Sequence, residues 1–243
     1  MDKNAIFNHY SHILDTAIEK STFFKAYLQY SFIMNYIFTS GDDGSLPESV
    51  GMSVGCTRAC LVDSNYDYVV KFDLTEVGSG DCAREERLYH YAQQENIDSF
   101  FIPCYYVGTY TKTYSFYTVE EMSHIEWYYD ELDCLYDGLR NMTIAPHDIT
   151  ISIPLYAYPR ADEFDFFTPE NEQTSDIVRN SRSPLKKQIE VANEFVRRYG
   201  VESYNKFNTF CEKWNINDLH SSNVMELNGK LKIADYAGYP GVM

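Results

Sequence analysis

The segment Val224–Ala234 constrains the fold of this 243-residue chain more than any other segment. Apolar and polar residues alternate on both sides of the pair Asn228-Gly229, and this pair favours the two-residue type I′ turn of a tight β-hairpin. A tight hairpin brings its two flanks together. Asn223, which precedes the hairpin, and Asp235, which follows it, are therefore expected to lie close to each other.

Three oxygen-bearing side chains flank this hairpin: Asp218, Asn223 and Asp235. Two carboxylates and an amide oxygen are hard ligands, which suit Mg²⁺ better than zinc. Magnesium usually shares such a site with the phosphates of a substrate. A carboxylate that does not bind the metal could orient or deprotonate an attacking hydroxyl group. The sequence therefore predicts a site for Mg²⁺ and a phosphate-bearing substrate at the base of the hairpin.

The same residues resemble motifs of the protein-kinase-like superfamily. Asp218-Leu-His-Ser-Ser-Asn223 is similar to its catalytic loop, in which an Asn follows the catalytic Asp by five positions. Asp235-Tyr-Ala is similar to its metal-binding D-F-G motif and begins 17 positions after Asp218. The resemblance implies that ATP and Mg²⁺ are the cofactors, that Asp218 is the catalytic base, and that Asn223 and Asp235 bind the metal.

The N-terminal half of the chain contains further positions that the resemblance requires. Lys71, in the predicted strand Tyr68–Phe72, is similar to the lysine that binds the α- and β-phosphates. Glu85, in the predicted helix Asp81–Gln94, is similar to the glutamate that pairs with this lysine, and it shares a helix face with an apolar stripe. Glu86 is the alternative partner of the lysine.

Two other segments resemble nucleotide-binding parts of a kinase. Tyr117–Met122 is similar to the strand and hinge whose backbone binds the adenine edge. Val50–Gly55 lacks the full G-x-G-x-x-G pattern, but its backbone amides are expected to bind phosphates. The nucleotide-binding residues predicted from the two segments are Gly51, Ser53, Gly55, Glu120 and Met122.

Helical and strand patterns along the chain predict an α+β fold. The resemblance implies a two-lobed protein-kinase-like fold, with a small antiparallel β-sheet in the N-lobe and a reduced, mostly helical C-lobe. The predicted domains are a helical extension at residues 1–44, the N-lobe at 45–122, and the C-lobe, with catalytic loop and hairpin, at 123–243. In plan the chain is most similar to minimal or atypical kinases of bacterial effectors and phages.

Local patterns predict the individual elements of this fold. Strands are expected at Phe101–Tyr110 and Tyr114–Val119, with a turn at residues 111–113 between them. After Met122 the chain is expected to be mostly helix and loop, and Pro154–Pro169 to be irregular. The other predicted elements are helices within residues 3–38, a strand at Arg58–Asp63, and helices at Leu185–Tyr199 and Val201–Trp214.

Charge and cysteine content limit the expected partners and compartment. The formal net charge is −16, which disfavours nucleic acids and anionic membranes as partners, because lysine and arginine bind them. The six cysteines are scattered and are expected to be free thiols. The N-terminus contains no apolar stretch typical of a secretory signal. We therefore expect the protein in the cytoplasm of the producing cell or of a host.

Several positions depart from the kinase pattern. Ile216-Asn217 replaces the His-Arg of protein kinases, so activation by loop phosphorylation is not expected. Ala237 replaces the glycine of D-F-G, which costs little unless the backbone there needs a positive φ. Eight residues follow Asp235, so an activation segment of the usual kind is not expected. A protein substrate would then bind to the N-terminal helices and the middle of the chain.

The sequence leaves three functions open. The first is ATP- and Mg²⁺-dependent phosphate transfer to a Ser, Thr or Tyr of a protein. The second is a catalytically silent pseudokinase that binds and inhibits a target protein. The third is an aminoglycoside-type kinase, which the Asp-Leu-His order and an acidic region of the chain favour. Transfer of AMP instead of phosphate is compatible with the same motifs.

Overall fold

The computed structural model describes residues 1–20, 46–54, 57–73, 80–115, 148–164 and 189–237. Within these residues the chain has an α+β fold with four α-helices and two β-sheets. The chain divides into two compact units: the first comprises residues 1–80 and 106–157, and the second comprises residues 81–105 and 158–243. The domain boundaries predicted at residues 44 and 122 lie outside the described residues.

The described part of the first unit consists of a helix and a five-stranded sheet. Its elements are α1 (Lys3–Lys20), β1 (Val50–Val54), β2 (Arg58–Asp63), β3 (Tyr68–Asp73), β4 (Tyr105–Ser115) and β5 (Asp148–Pro159), of which Tyr105 at the start of β4 and Tyr158 and Pro159 at the end of β5 are assigned to the second unit. The strand order is β1-β2-β3-β5-β4, and β2 pairs antiparallel with both β1 and β3. The predicted hairpin of β2 and β3 is thereby confirmed. Their buried residues alternate along each strand, as expected when one face covers a core.

Helix α1 buries an apolar stripe. Ile6, Tyr10, Ile13 and Leu14 are all buried, and their spacing places them on one side of a helix. Asp15, on the next turn, accepts hydrogen bonds from two side chains of β4, namely Lys112 Nζ at 2.8 Å and Tyr110 Oη at 3.0 Å. These contacts attach α1 to the sheet, and the hydrogen bond from Lys112 contributes most to a lowered pKa of Asp15.

The turn predicted at residues 111–113 is wrong, because β4 continues through them as one 11-residue strand. Thr111-Lys112-Thr113 is polar, but threonine is β-branched and suits a strand. Lys112 binds α1, as described above. Thr113 Oγ1 lies 2.8 Å from Oγ1 of Thr150 in β5, so the two threonines form a cross-strand pair.

The irregular loop predicted from Pro154 is also wrong, because residues 148–159 form strand β5. Ser152 and Pro154 are exposed, whereas Ile153 and Leu155 are buried. This alternation is the period of a strand and shows that the proline is tolerated on the exposed side. The expectation of helix and loop after Met122 is therefore corrected for this segment.

The second unit contains three helices and a three-stranded sheet in its described residues. Its elements are α2 (Asp81–Gln94), a 3-10 helix (Asp98–Phe100), β6 (Asp162–Glu163), α3 (Ile189–Tyr199), α4 (Val201–Lys213), a second 3-10 helix (Ser221–Asn223), β7 (Val224–Leu227) and β8 (Lys230–Ile233). The strand order is β6-β7-β8, with antiparallel pairing. The prediction of α2 is confirmed at both ends, and that of α4 to within one residue.

Aromatic rings form the core of the second unit. The ring of Phe100 stacks on Phe207, with ring centroids 4.8 Å apart, and Phe101 contacts both Phe210 and Tyr236. Burial of one such side chain stabilises a fold by about 1.5–3 kcal/mol. Tyr236 is the middle residue of the Asp-Tyr-Ala motif, and only 1% of it is exposed. The core therefore fixes the backbone of that motif.

Two expectations that concern the cellular compartment can be compared with the described residues: the lack of a membrane-spanning segment and the free thiols. None of the helices there has both the length and the apolar character that a membrane crossing requires. The four cysteines among the described residues, Cys60, Cys82, Cys104 and Cys211, are free thiols. The expectation of free thiols is thus confirmed for these four.

Candidate active site

The β7–β8 hairpin brings the two flanks of the candidate site together. Asn228 and Gly229 have φ angles of 53° and 73°, the left-handed values that a type I′ turn needs. The antiparallel register pairs Val224 with Ile233. One step beyond this pair, the N–H of Ala234 donates to the carbonyl oxygen of Asn223 at 2.7 Å. Asn223 therefore lies next to the residue that precedes Asp235.

Asn223 also closes the loop that begins at Asp218. Its side-chain Nδ2 donates to the carbonyl oxygen of Asp218 at 2.8 Å, and its backbone N–H donates to the carbonyl oxygen of His220 at 2.9 Å. With Nδ2 directed to the loop backbone, Oδ1 is the atom of the amide that can bind a cation. The side chain is buried, so the loop and the hairpin fix its orientation. Asn223 thus connects Asp218 to Asp235.

Asp235 has a left-handed backbone conformation, with φ of 52°. Such values are uncommon for residues other than glycine, although Asp and Asn tolerate them better than most. Contacts on its C-terminal side fix this conformation: Tyr236 Oη donates to the carbonyl oxygen of Ile102 at 2.9 Å, and the N–H of Ala237 donates to Oε1 of Glu85 at 3.1 Å. Unusual backbone of this kind often occurs at functional sites.

Glu85 is the one of the two candidate glutamates that faces the interior of the second unit. It is completely buried, as are Leu88 and Ala92 of the same helix stripe, whereas Glu86 is half-buried. Its Oε2 accepts a hydrogen bond from Tyr158 Oη at 2.6 Å, and its Oε1 accepts the Ala237 bond. Burial, and next the negative charge of Glu85, raise the pKa of Tyr158 well above its ordinary value. The Tyr158 hydroxyl therefore stays protonated and donates.

The donor set suits a metal that is shared with a substrate. Asp218 is half-buried, and its Oδ1 lies 3.9 Å from Nε2 of His220. Among the residues that the structure describes, no group of three or more His, Cys, Asp or Glu side chains could hold a metal ion. Two carboxylates and one amide do not form a complete metal cage, but they fit Mg²⁺, which takes few protein ligands and completes its shell with water and phosphate oxygens.

In the first unit, the sheet register aligns Lys71 with Ser53. Ser53 of β1 is paired with Cys60 of β2, and Cys60 is paired with Lys71 of β3. Directly paired residues point to the same face of a sheet, so the three side chains share one face. Strands lie about 4.8 Å apart, which separates Ser53 from Lys71 by roughly 10 Å. Gly51 is two residues before Ser53 and belongs to the same face of β1.

The predicted site residues are therefore distributed over both units. Lys71, Gly51 and Ser53 belong to the first unit, and Glu85 belongs to the second. Asp218, Asn223 and Asp235 also belong to the second unit, where Asn223 connects the other two. Gly55, Glu120 and Met122 lie outside the described residues.

Sequence reasoning did not find Tyr158. It lies in the segment that was expected to be a loop, and it is 73 positions away from its partner Glu85. Its only local signal is the alternation of β5, which predicts a strand and does not predict a partner.

Comparison with known proteins gives no family for this chain, since no protein-family model matches it and no curated protein is significantly similar to it.

Proposed function

We propose that the protein is an ATP- and Mg²⁺-dependent phosphotransferase with a two-lobed, protein-kinase-like plan, and that it acts on a hydroxyl group of a protein. The observation that carries this proposal is the junction at Asn223, which joins the loop of Asp218 to the hairpin end at Asp235. The junction supports the proposal because phosphate transfer needs a base and metal ligands in fixed relation to each other.

The residues of the site have separate tasks in this proposal. When bound, Mg²⁺ neutralises charge on the triphosphate, and Asn223 Oδ1 and the Asp235 carboxylate are its protein ligands. Asp218 orients the acceptor hydroxyl and accepts its proton as the new P–O bond forms and the bond to ADP breaks. Lys71 binds the α- and β-phosphates, with Glu85 as its partner and the backbone around Gly51 and Ser53 as further phosphate donors.

The negative charge of the buried Glu85 is consistent with its proposed role as the partner of a cation. A buried carboxylate is costly unless hydrogen bonds and a cation compensate it. Tyr158 and Ala237 provide two neutral donors. Each oxygen of a carboxylate can accept more than one hydrogen bond, so these two bonds do not exclude a cation as a further partner.

Transfer of a radioactive γ-phosphate from ATP tests the proposal. We expect the wild-type protein to label itself or a protein of a cell lysate. Asp218→Ala should reduce the rate about 100-fold or more, the usual effect of losing a general base. Asp67→Ala, which removes an exposed carboxylate from the turn between β2 and β3, should leave the rate unchanged. Equal labelling by wild type and Asp218→Ala, or no labelling by wild type, would contradict the proposal.

A catalytically silent nucleotide-binding module is the second candidate function. The incomplete glycine pattern of Val50–Gly55 and the acidic region of the chain favour it. Thermal unfolding with ATP, with and without Mg²⁺, is the first measurement, because a ligand that binds the folded state raises the melting temperature. The absence of a shift, or a shift without label transfer, favours the silent module, and a shift with transfer favours the enzyme. Labelling of an aminoglycoside but of no protein would favour a small-molecule kinase.

A further inference from the structure

The hydroxyl of Tyr158 has a different kind of acceptor from the hydroxyls of two other tyrosines in the second unit. Tyr199 and Tyr236, also in the second unit, donate their hydroxyls to backbone carbonyls, of Leu231 and Ile102 respectively. Tyr158 donates to a carboxylate instead, and both the donor and the acceptor Glu85 are almost completely buried. A hydrogen bond between a hydroxyl and a buried carboxylate is stronger than one between neutral groups. Tyr158 therefore restricts where the Glu85 carboxylate can lie.

The orientation of Glu85 determines the turn after β8. Its second oxygen, Oε1, accepts the N–H of Ala237, two residues after Asp235. Asp235 has the left-handed backbone described above, and residues on its C-terminal side are fixed by side chains rather than by regular secondary structure. A shift of the carboxylate would move the Ala237 N–H and, with it, the Asp235 side chain.

We propose that Tyr158 is a positioning residue of the candidate metal site, because its hydroxyl orients Glu85, which in turn fixes the Asp235–Ala237 turn so that the Asp235 carboxylate can bind a divalent cation. This inference rests on the proposed function, since it concerns the metal that Asp235 and Asn223 would share with ATP. Residues that orient a metal ligand usually alter metal affinity about 10–100-fold when they are replaced.

Tyr158→Phe tests this role, with Tyr110→Phe as its matched control. Both tyrosines are buried and both donate to a carboxylate, but Tyr110 donates to Asp15 in the first unit. The probe is Mn²⁺, titrated by electron paramagnetic resonance in the presence of a non-hydrolysable ATP analogue. The analogue is also titrated without metal, and the thermal unfolding of each variant is recorded.

We expect Tyr158→Phe to weaken Mn²⁺ binding about 10-fold while the metal-free affinity for the analogue stays unchanged. Tyr110→Phe should bind Mn²⁺ as wild type does, although it also lowers the melting temperature, by less than Tyr158→Phe because Asp15 is partly exposed. This combination separates positioning from a general loss of stability. If Tyr158→Phe does not fold, Glu85→Gln replaces it, because the amide cannot accept both donors with the same strength and is expected to weaken Mn²⁺ binding as well.

The outcomes distinguish failure of the inference from failure of the proposed function. If wild type binds Mn²⁺ with the analogue and the folded Tyr158 or Glu85 variant binds equally well, the positioning role is wrong and the proposed function stands. If Tyr110→Phe weakens Mn²⁺ binding as much as Tyr158→Phe, the role is also wrong. If wild type binds neither the analogue nor Mn²⁺, the proposed function fails, and the inference fails with it.

Discussion

Lys232 allows a direct stability test of the hydrogen bonds that attach the β7–β8 hairpin of the candidate site to residues 98–101. It is buried in β8, and its Nζ donates to the carbonyl oxygens of Phe101 at 3.0 Å, Ser99 at 3.1 Å and Asp98 at 3.4 Å. These carbonyls belong to the 3-10 helix after α2 and to the residue that follows it. Lys232 therefore joins the hairpin to this segment, and Lys232→Met removes the ammonium but retains most of the apolar stem.

The expected cost follows from the groups that lose a donor. The carbonyls of Ser99 and Phe101 each lose a hydrogen bond from a charged group, at about 1–3 kcal/mol each when buried. The carbonyl of Asp98 loses less, because it also accepts the N–H of Phe101 at 3.1 Å. The variant also avoids an unfavourable contribution, because burial of an ammonium costs several kcal/mol. The same burial lowers the pKa of Lys232. We expect a net destabilisation of about 1–3 kcal/mol.

Urea unfolding at neutral pH measures this change from the shift of the midpoint at constant slope. Lys230→Met is the control, since Lys230 is exposed two residues earlier in the same strand, and it should change stability by less than about 0.5 kcal/mol. Equal midpoints for Lys232→Met and wild type would refute the reasoning. So would equal shifts for the two variants.

A comparison of wild type with Lys232→Met also tests how stability depends on pH, and the lowered pKa of Lys232 determines the direction of the expected change. Because the folded state lowers the pKa of Lys232, it releases this proton at a lower pH than the unfolded state does. Between the lowered value and the ordinary value of 10.5, the unfolded state binds more protons, and the wild type gains stability as the pH rises. Lys232→Met lacks this group, so the difference in unfolding free energy should widen with pH in that range. A difference that narrows would contradict the assignment.

Two further predictions concern the first unit. Gly108→Ala should destabilise it by about 1–3 kcal/mol in urea unfolding, because the added Cβ would lie 2.5 Å from Cδ2 of Phe7. The loss should become smaller but not vanish in a Phe7→Ala background, because the φ of 158° at Gly108 disfavours a side chain by itself, and an equal loss there would contradict the clash. Desolvation opposes ionisation of Asp63, but hydrogen bonds, the largest from the N–H of Asn65, outweigh it and lower its pKa. Its carboxylate therefore stabilises the fold above its unfolded pKa, and this contribution is lost as the pH falls through the lower folded value. Asp63→Asn should thus show a shallower fall in melting temperature from about pH 5 to about pH 2, and an unchanged slope would count against the prediction.

The elements with strong local signals could be predicted from the sequence. The Asn228-Gly229 turn was predicted because few residues tolerate two consecutive positive φ angles, and both angles are positive in the structure. Helix α2 was predicted at both ends because its apolar residues repeat every three to four positions. In each case the physical cause lies within a few residues of the sequence.

The errors arose where partners distant in sequence decide the local structure. Thr111-Lys112-Thr113 has the composition of a turn, but Asp15, 97 residues before Lys112, provides a partner that stabilises it in a strand. Lys230 and Lys232 are two positions apart in β8 and therefore lie on the same face of the strand, but Lys230 is exposed and Lys232 is buried. Lys232 is buried because three carbonyls of residues 98–101 satisfy its ammonium, and no local pattern of β8 reveals them.

The same difference between local signals and distant partners applies to the candidate site. It explains why the sequence predicts only a few widely spaced residues of this site. Hydrogen bonds with at least one main-chain partner connect several residues around the site to their neighbours, namely Asn223, Ala234, Ala237 and Lys232. A main-chain partner is available whatever the side chain at that position, so the sequence carries no signal of which residue provides it. Only side chains that bind the main chain or a ligand need a fixed identity. The proposed chemistry fixes the type and spacing of four residues, and this pattern is what the sequence analysis used to choose them: Asp218, Asn223, Asp235 and Glu85. Tyr158 contacts Glu85, 73 positions away in sequence, and no spacing rule connects the two residues.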